Sequence, residues 1–273
     1  MPRILLTGAG GGIGTRLRKL LPPIYPDLVL SDLKAPADLA ASEKFIAAEL
    51  SDFAQVKKAV AGIDGIIHLG GFSVEGPWET ILNANIIGTH NLFEAARQAG
   101  VKRIIFASSN HAVGFYPRSR TIDTNVQVRP DSRYGVSKAF GEALASYYAF
   151  KFGIGCLCIR IGNLGERPLD ERRLSIWLEN SDLVSLIRIG LEREGLLFEV
   201  VYGMSDNKRA WWDNSRAGEL GYRPKARSED FAAEILAAQK NIAADPVGDF
   251  FQGGTFCSDE FANDFEMLKK LKP

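Results

Sequence analysis

Ile4-Leu5-Leu6-Thr7-Gly8-Ala9-Gly10-Gly11-Gly12-Ile13-Gly14 is the stretch that decides the fold of this chain. Its apolar opening reads as a short buried strand, glycines crowd the turn behind it, and a helical pattern sets in at Gly12. Gly8, Gly11 and Gly14 follow G-x-x-G-x-x-G. Missing side chains permit a tight turn, close approach of a pyrophosphate and close helix–strand packing. The helix that starts at Gly12 and Ile13 offers free amides and a partial positive charge to phosphates. At the first strand-to-helix junction of a chain, this pattern reads as a dinucleotide-binding turn.

Outward from that turn, short apolar runs alternate with helical stretches, the pattern of a parallel sheet with crossover helices. Strands are expected at Arg3–Thr7, Leu28–Ser31, Phe45–Ala48, Gly65–Leu69, Arg103–Ala107 and Gly155–Ile159. Helices are expected at Gly12–Leu21, Phe53–Ala61, Trp78–Ala99 and Tyr134–Phe152. After Arg160 the pattern changes to a polar, proline-bearing stretch at Asn163–Arg172, a helix at Leu174–Leu191, a strand at Phe198–Tyr202 and a helix from about Ser228. The reading is an α/β fold, a Rossmann-type doubly wound parallel sheet over residues 1–160. Residues 161–273 form a small C-terminal substrate lobe integrated with that core, closing over the sheet edge where open α/β sheets bind ligands.

Composition narrows the function classes. Apolar residues make up 46% and charged residues 24%, which excludes disordered and fibrous classes. Lys+Arg and Asp+Glu are 33 each, so the basic excess of a nucleic-acid binder is missing. No apolar run approaches the ~20 residues of a membrane helix, and the N-terminus is too short and glycine-bound for a signal peptide. The three cysteines show no zinc spacing, and Cys156 and Cys158 alternate in one strand as small core residues. A soluble cytoplasmic chain with no metal is expected.

Asp32 ends the second strand, 18 residues after Gly14, where a carboxylate accepts hydrogen bonds from an adenosine ribose. It also repels a 2′-phosphate by roughly 3 kcal/mol at ~5 Å and an effective dielectric of about 20, which favours NAD over NADP. Lys34 is the nearby counterweight. Tyr134 and Lys138 lie four apart at the start of a helix and so share one face. A phenol titrates near ~10, and an adjacent ammonium or an oxidised nicotinamide favours its phenolate. Such a pair accepts the proton of an alcohol that gives up hydride.

Together these residues resemble the extended branch of the short-chain dehydrogenase/reductase superfamily. The likeness spans the chain: Thr7–Gly14, Asp32, His68-Leu69-Gly70-Gly71, Asn85-Ile-Ile-Gly-Thr89, Phe106-Ala-Ser-Ser109 with Gly114, Tyr134/Lys138 and Leu220-Gly-Tyr-Arg-Pro224. It implies Tyr134 as base, with Lys138 holding the nicotinamide ribose and lowering the tyrosine pKa. Ser109 would hydrogen-bond the reacting oxygen, and Asn85 would support a proton-relay water. It further implies NAD contacts at Gly8, Gly11, Gly12, Ile13, Gly14, Asp32, Leu33, Glu49, Leu50, Leu69, Gly70, Gly71, Lys138 and Leu164. Glu49-Leu50 stands where the branch has Asp-Leu or Asp-Val, a departure at the adenine pocket.

Several segments resemble the bacterial uronate dehydrogenases more closely: His68–Glu75, Phe106–His111, Tyr134–Lys138, Trp211–Asn214 and Phe251–Thr255. That family oxidises the anomeric carbon of glucuronate or galacturonate with NAD, giving an aldarolactone. The likeness implies a sugar site lined by Ser73, Ser109, Asn110, His111 and Asn163. Arg172 would be the bidentate fork for the sugar carboxylate, with Arg173 as the alternative. Asn163, where that family has Ser, and the nearby Glu166 bear on which sugar fits. His68 reads as a structural strand-end residue and Trp211-Trp212 as packing. A homo-oligomer with a small sugar acid as its partner is expected. The competing readings are an aldose or aldose-phosphate dehydrogenase, a nucleotide-sugar epimerase and a non-catalytic NADH sensor.

Overall fold

The computed structural model describes residues 1–238 and 243–270. In chain order, β1 (Ile4–Thr7), α1 (Gly12–Leu20), β2 (Leu28–Asp32), β3 (Lys44–Ala47), α2 (Phe53–Ala59) and β4 (Gly65–His68) come first. α3 (Trp78–Ile81) and α4 (Gly88–Ala99) follow, joined by a π turn at Leu82–Ile87, then β5 (Arg103–Ser109), α5 (Arg133–Phe152) and β6 (Gly155–Ile161). Beyond them lie β7 (Asn163–Leu164), α6 (Glu171–Ile176), β8 (Trp177–Leu178), α7 (Asn180–Glu192) and β9 (Phe198–Gly203). The chain continues through α8 (Ser215–Glu219), α9 (Ala232–Ala238), α10 (Pro246–Phe250), α11 (Thr255–Ser258) and α12 (Phe265–Lys270).

Seven parallel strands form one sheet in the order β3-β2-β1-β4-β5-β6-β9. The order reverses at β1, so the carboxyl ends of β1 and β4 open a crevice for a ligand. Side chains alternate faces along each strand. Ile4 and Leu6 join one apolar cluster with Leu17 of α1 and Leu183 of α7; Leu5 joins the other with Val56 of α2, Phe93 of α4 and Ala145 of α5. Both faces are thereby covered, which explains the near-continuous apolar strand sequences. Cys156 and Cys158 lie fully buried in the second cluster. The Rossmann-type doubly wound sheet is thus present as expected.

The structure departs from the sequence reading in three places. The expected helix Trp78–Ala99 is interrupted by the π turn, which carries Asn85. The expected helix Leu174–Leu191 is two helices. At Trp177 the backbone turns extended (ψ 141°), Trp177-Leu178 pairs with Asn163-Leu164, and the indole donates to the Gly165 carbonyl. Glu179 then starts α7 by accepting from the Ser181 amide. Apolar periodicity ran straight through that break because a short strand pairing leaves no local signal. Finally, the stretch from residue 161 leaves the sheet at β7–α6 and then returns to it: α7 packs beside α1, and β9 pairs in register with β6. The segments that close over the sheet's end are the β7–α6 stretch, which precedes α7, and α11 near the end of the chain.

Candidate active site

The carboxyl ends of β1, β2, β4, β5 and β6 open into one cleft of about 1380 Å³. Its cofactor half is built by the glycine turn. Gly8 sits at φ +68°, and a Cβ there would lie 2.8 Å from the Leu69 carbonyl carbon. A Cβ at Gly14 would overlap the Gly8 carbonyl oxygen, so neither position admits a side chain without moving backbone. Gly11 caps α1 with no side-chain hydrogen bond, leaving the first amides of that helix free at the cleft. Thr7 Oγ1 accepts from the Gly70 amide at 3.1 Å and so fastens the Leu69-Gly70-Gly71 turn against β1.

Asp32 is held in place: Oδ2 accepts from the Gly10 amide and Oδ1 from the Leu33 amide, both at 2.8 Å. Further lone pairs on both oxygens stay available for ribose hydroxyls. Leu33, Lys34, Glu49 and Leu50 line the same end of the cleft. Glu49 turns back to accept from the Ser51 amide at 3.3 Å, and Asn91 Nδ2 donates to the carbonyls of Leu50 and Ser51. Arg16, which the sequence reading passed over, also faces this end, its Nη1 donating to the Gly12 carbonyl.

The reacting end stands on β5 and α5. Ser132 caps α5 by accepting from the Gly135 amide, which sets Tyr134 and Lys138 one turn apart. Lys138 Nζ donates to the Ala107 carbonyl at 2.8 Å and lies 5.4 Å from the Tyr134 ring centre. Burial pushes the Tyr134 phenol up to about 12, with Ser109 drawing it down and Asp131 adding to the rise. Burial also brings the Lys138 ammonium down to about 8. Burial is the largest influence on the phenol at this end of the cleft. Ser109 Oγ accepts from the His111 amide at 3.2 Å, which leaves its own proton to donate.

The side-chain amide of Asn85 is engaged within the protein. Its Oδ1 accepts from the Phe72 amide, and its Nδ2 donates to the Phe72 carbonyl and to Ser137 Oγ. Both amide protons are used inside the protein, tying the loop after β4 to α5. Glu75, another residue the sequence reading gave no role, accepts from the Tyr134 amide at 3.0 Å and pairs with Arg133. It pins the loop that brings Ser73 to the cleft.

At the end where the sequence reading expects the sugar, Ser73, Asn110, His111, Asn163, Leu164 and Arg172 line the cleft together. Arg172 Nε and Nη2 donate to the Gln252 carbonyl at 3.0 and 2.8 Å. With the Asn110 amide oriented to satisfy its neighbours, its oxygen accepts from Arg172 Nη2 at 3.2 Å and its nitrogen donates to the Ile161 carbonyl. The bidentate edge expected for a carboxylate is therefore held by protein carbonyls, and Nη1 is the group left to receive one. Burial, with Arg118 nearby, pushes the Arg172 guanidinium down to about 10. Arg173 instead pairs with Asp170 at the start of α6. Glu166 is exposed and outside the cleft lining.

His68 and the tryptophan pair are structural, as the sequence reading has them. His68 is buried between Thr7 and Thr89, and burial drives its pKa down to about 3. Trp212 stacks on Tyr202 and donates to Gln252 Oε1. Phe256 of α11 lines the cleft and stacks on His111 at 3.9 Å, a contact no local pattern announces. Among the described residues there is no group of three His, Cys, Asp or Glu able to hold a metal, and no helix is long and apolar enough to cross a membrane.

Comparison with known proteins agrees with this geometry. The NAD dependent epimerase/dehydratase family matches residues 4–211. A uronate dehydrogenase from Pseudomonas putida is 48% identical over 255 residues, 93% of this chain and 95% of that one. An NAD-dependent glucose-6-phosphate dehydrogenase from Haloferax volcanii is 37% identical over 253 residues, 85% of this chain and 96% of that one. A mutant uronate dehydrogenase from Agrobacterium tumefaciens, solved in complex with NAD, superposes with a TM-score of 0.91 at 44% identity, covering 94% of this chain and 97% of that one.

Proposed function

The chain belongs to the NAD dependent epimerase/dehydratase family, and on that premise we propose that it is an NAD-dependent dehydrogenase oxidising the anomeric carbon of glucuronate or galacturonate to the aldarolactone. The observation that carries the substrate class is Arg172. It is a cation set back in the cleft wall, it forms no ion pair among the described residues, and carbonyl oxygens hold it in place. A buried cation with no anion in direct contact is costly to keep, and a substrate carboxylate would supply that contact.

The cradle fits NAD. Gly8, Gly11, Gly12, Ile13 and Gly14 would hold the pyrophosphate, Asp32 with Leu33 the adenosine ribose, and Glu49 with Leu50 the adenine side. Leu69, Gly70, Gly71, Leu164 and Lys138 would line the remainder. When bound, the dinucleotide supplies the hydride acceptor and a positive ring that favours the phenolate. Tyr134 Oη takes the proton of the C1 hydroxyl while the C1–H bond is lost as hydride, so the C1–O bond becomes the lactone carbonyl. Ser109 donates its free proton to the same oxygen. Lys138, one proton committed to Ala107, keeps two for ribose hydroxyls and adds positive charge beside the phenol. Asn85 positions α5 against the loop after β4. Ser73, Asn110, His111 and Asn163 bind sugar hydroxyls, and Arg172 Nη1 meets the carboxylate.

NADH formation over a panel of glucuronate, galacturonate, glucose, galactose and glucose 6-phosphate tests this reading. The two uronates are expected to turn over fastest. A clear preference for glucose 6-phosphate would replace it with the aldose-phosphate alternative, for which the Haloferax relative is the specific support. Cofactor choice is a second check. Asp32→Ala should narrow the NAD/NADP preference by up to about a hundredfold, by relieving repulsion of the 2′-phosphate. Equal use of both cofactors by the unaltered enzyme would shift the argument to Lys34.

A cytoplasmic homo-oligomer is the assembly that goes with this reading. Its support is that all three cysteines are free, and that Tyr147, Phe150 and Phe152 of α5 are exposed. Light scattering on gel-filtered protein checks the assembly.

A further inference from the structure

Asp131 has no role in the reaction as described, yet it sits beneath the sugar end of the cleft. Its side chain is fully buried. Oδ2 lies 2.7 Å from His111 Nδ1, and Oδ1 accepts from Ser132 Oγ at 2.7 Å. A Cβ at Gly114 or at Gly253 would overlap Oδ2, so two glycines from distant parts of the chain make room for this carboxylate. His111 is fixed on its other sides: its amide donates to Ser109 Oγ, its carbonyl accepts from the Asp131 amide, and its ring stacks on Phe256. Ser132 is also the cap of the helix that carries Tyr134.

An ionised carboxylate only accepts hydrogen bonds, so His111 Nδ1 must donate to it. In a neutral imidazole that leaves Nε2 as an acceptor. His111 lines the sugar end of the cleft, and no hydrogen bond to its Nε2 is found among the described residues. We propose that Asp131 is a positioning residue that fixes the His111 tautomer so that Nε2 accepts the proton of a sugar hydroxyl. Its contribution to turnover rests on the uronate reading above; its contribution to the tautomer does not.

Asp131→Asn is nearly isosteric and makes an opposite demand. While Ser132 Oγ keeps donating to this side chain, the amide oxygen faces Ser132 and the amide nitrogen faces His111. Nδ1 must then accept, and the proton moves to Nε2. A sugar hydroxyl meeting Nε2–H loses the acceptor for its own proton.

The tautomer can be read directly. The chain has 3 histidines, so ring ¹⁵N spectra at about pH 8, above the ordinary imidazole range, are simple enough to assign with His111→Gln. His111 of the unaltered protein is expected as Nδ1–H, and that of Asp131→Asn as Nε2–H. The same substitution should lower kcat/KM for the uronate about 10- to 100-fold, chiefly through KM, and leave NADH affinity unchanged. In a His111→Gln background, Asp131→Asn should add no further loss, as expected if the two act as a unit. An Nε2–H tautomer in the unaltered protein would overturn the proposal even if the variant does not fold. So would a loss that adds in full to that of His111→Gln. An Nδ1–H ring in a protein that turns over no uronate would support the positioning role and reject the substrate reading.

Discussion

Tyr134→Phe should cut turnover by ~10²–10⁴-fold or more while leaving the fold and NADH affinity intact. The substitution removes one oxygen and keeps a ring that is already buried and in edge contact with His111 at 5.8 Å. On the proposed reading the glycine turn, Asp32 and Lys138 hold the cofactor, and none of them depends on the phenol. Because burial pushes this phenol up to about 12, little of it is ionised near neutrality. A base must be deprotonated to act, so kcat/KM should climb as pH rises through the neutral range. The Tyr134→Phe enzyme should lose that rising limb along with its rate. Turnover near that of the unaltered enzyme, or an unchanged limb, would remove Tyr134 from the role of base. Rate measurements across pH, with thermal melts as the folding control, decide the matter.

The parts legible in the sequence are those whose signal is local. The glycine turn, Asp32 and the Tyr134/Lys138 pair each lie within one strand end or one helical turn. The structure brings all of them to one cleft. The parts that escaped depend on contacts far along the chain. Gln252 holds Arg172 from 80 residues away, and Asp131 reaches back 20 residues to His111. Phe256 stacks on His111 only because α11 returns to the cleft. The two helix errors have the same origin. A π turn at Asn85 preserves apolar periodicity on either side of it, and the break at Trp177 is set by pairing with Asn163-Leu164. Strand β9 was legible as a strand, but its place at the sheet edge beside β6 follows from three-dimensional packing.

Arg172→Ala is expected to convert the substrate preference rather than abolish activity. A pyranose uronate differs from its parent hexose by one carboxylate, about five bonds from the carbon that is oxidised. In this structure the guanidinium reaches the cleft through Nη1, since Nε and Nη2 are held by Gln252 and Asn110. One charge-assisted hydrogen bond of that kind is worth roughly 1.5–3 kcal/mol. Its removal should therefore lower kcat/KM for glucuronate or galacturonate by ~10–150-fold, at 1.4 kcal/mol per decade. kcat should fall as well, because on this reading the same contact orients the ring and sets the anomeric hydrogen for transfer. Activity on glucose or galactose, expected to be low already, should hardly move, for those sugars bring no charge to the site. Equal losses on charged and neutral sugars would instead make Arg172 a strut for Gln252 and the turn around it. Arg173, engaged with Asp170, would then need release from that pair before it could serve a carboxylate. A preference for neutral sugars in the unaltered enzyme would move the question to Asn163, the cleft residue that departs from the uronate pattern.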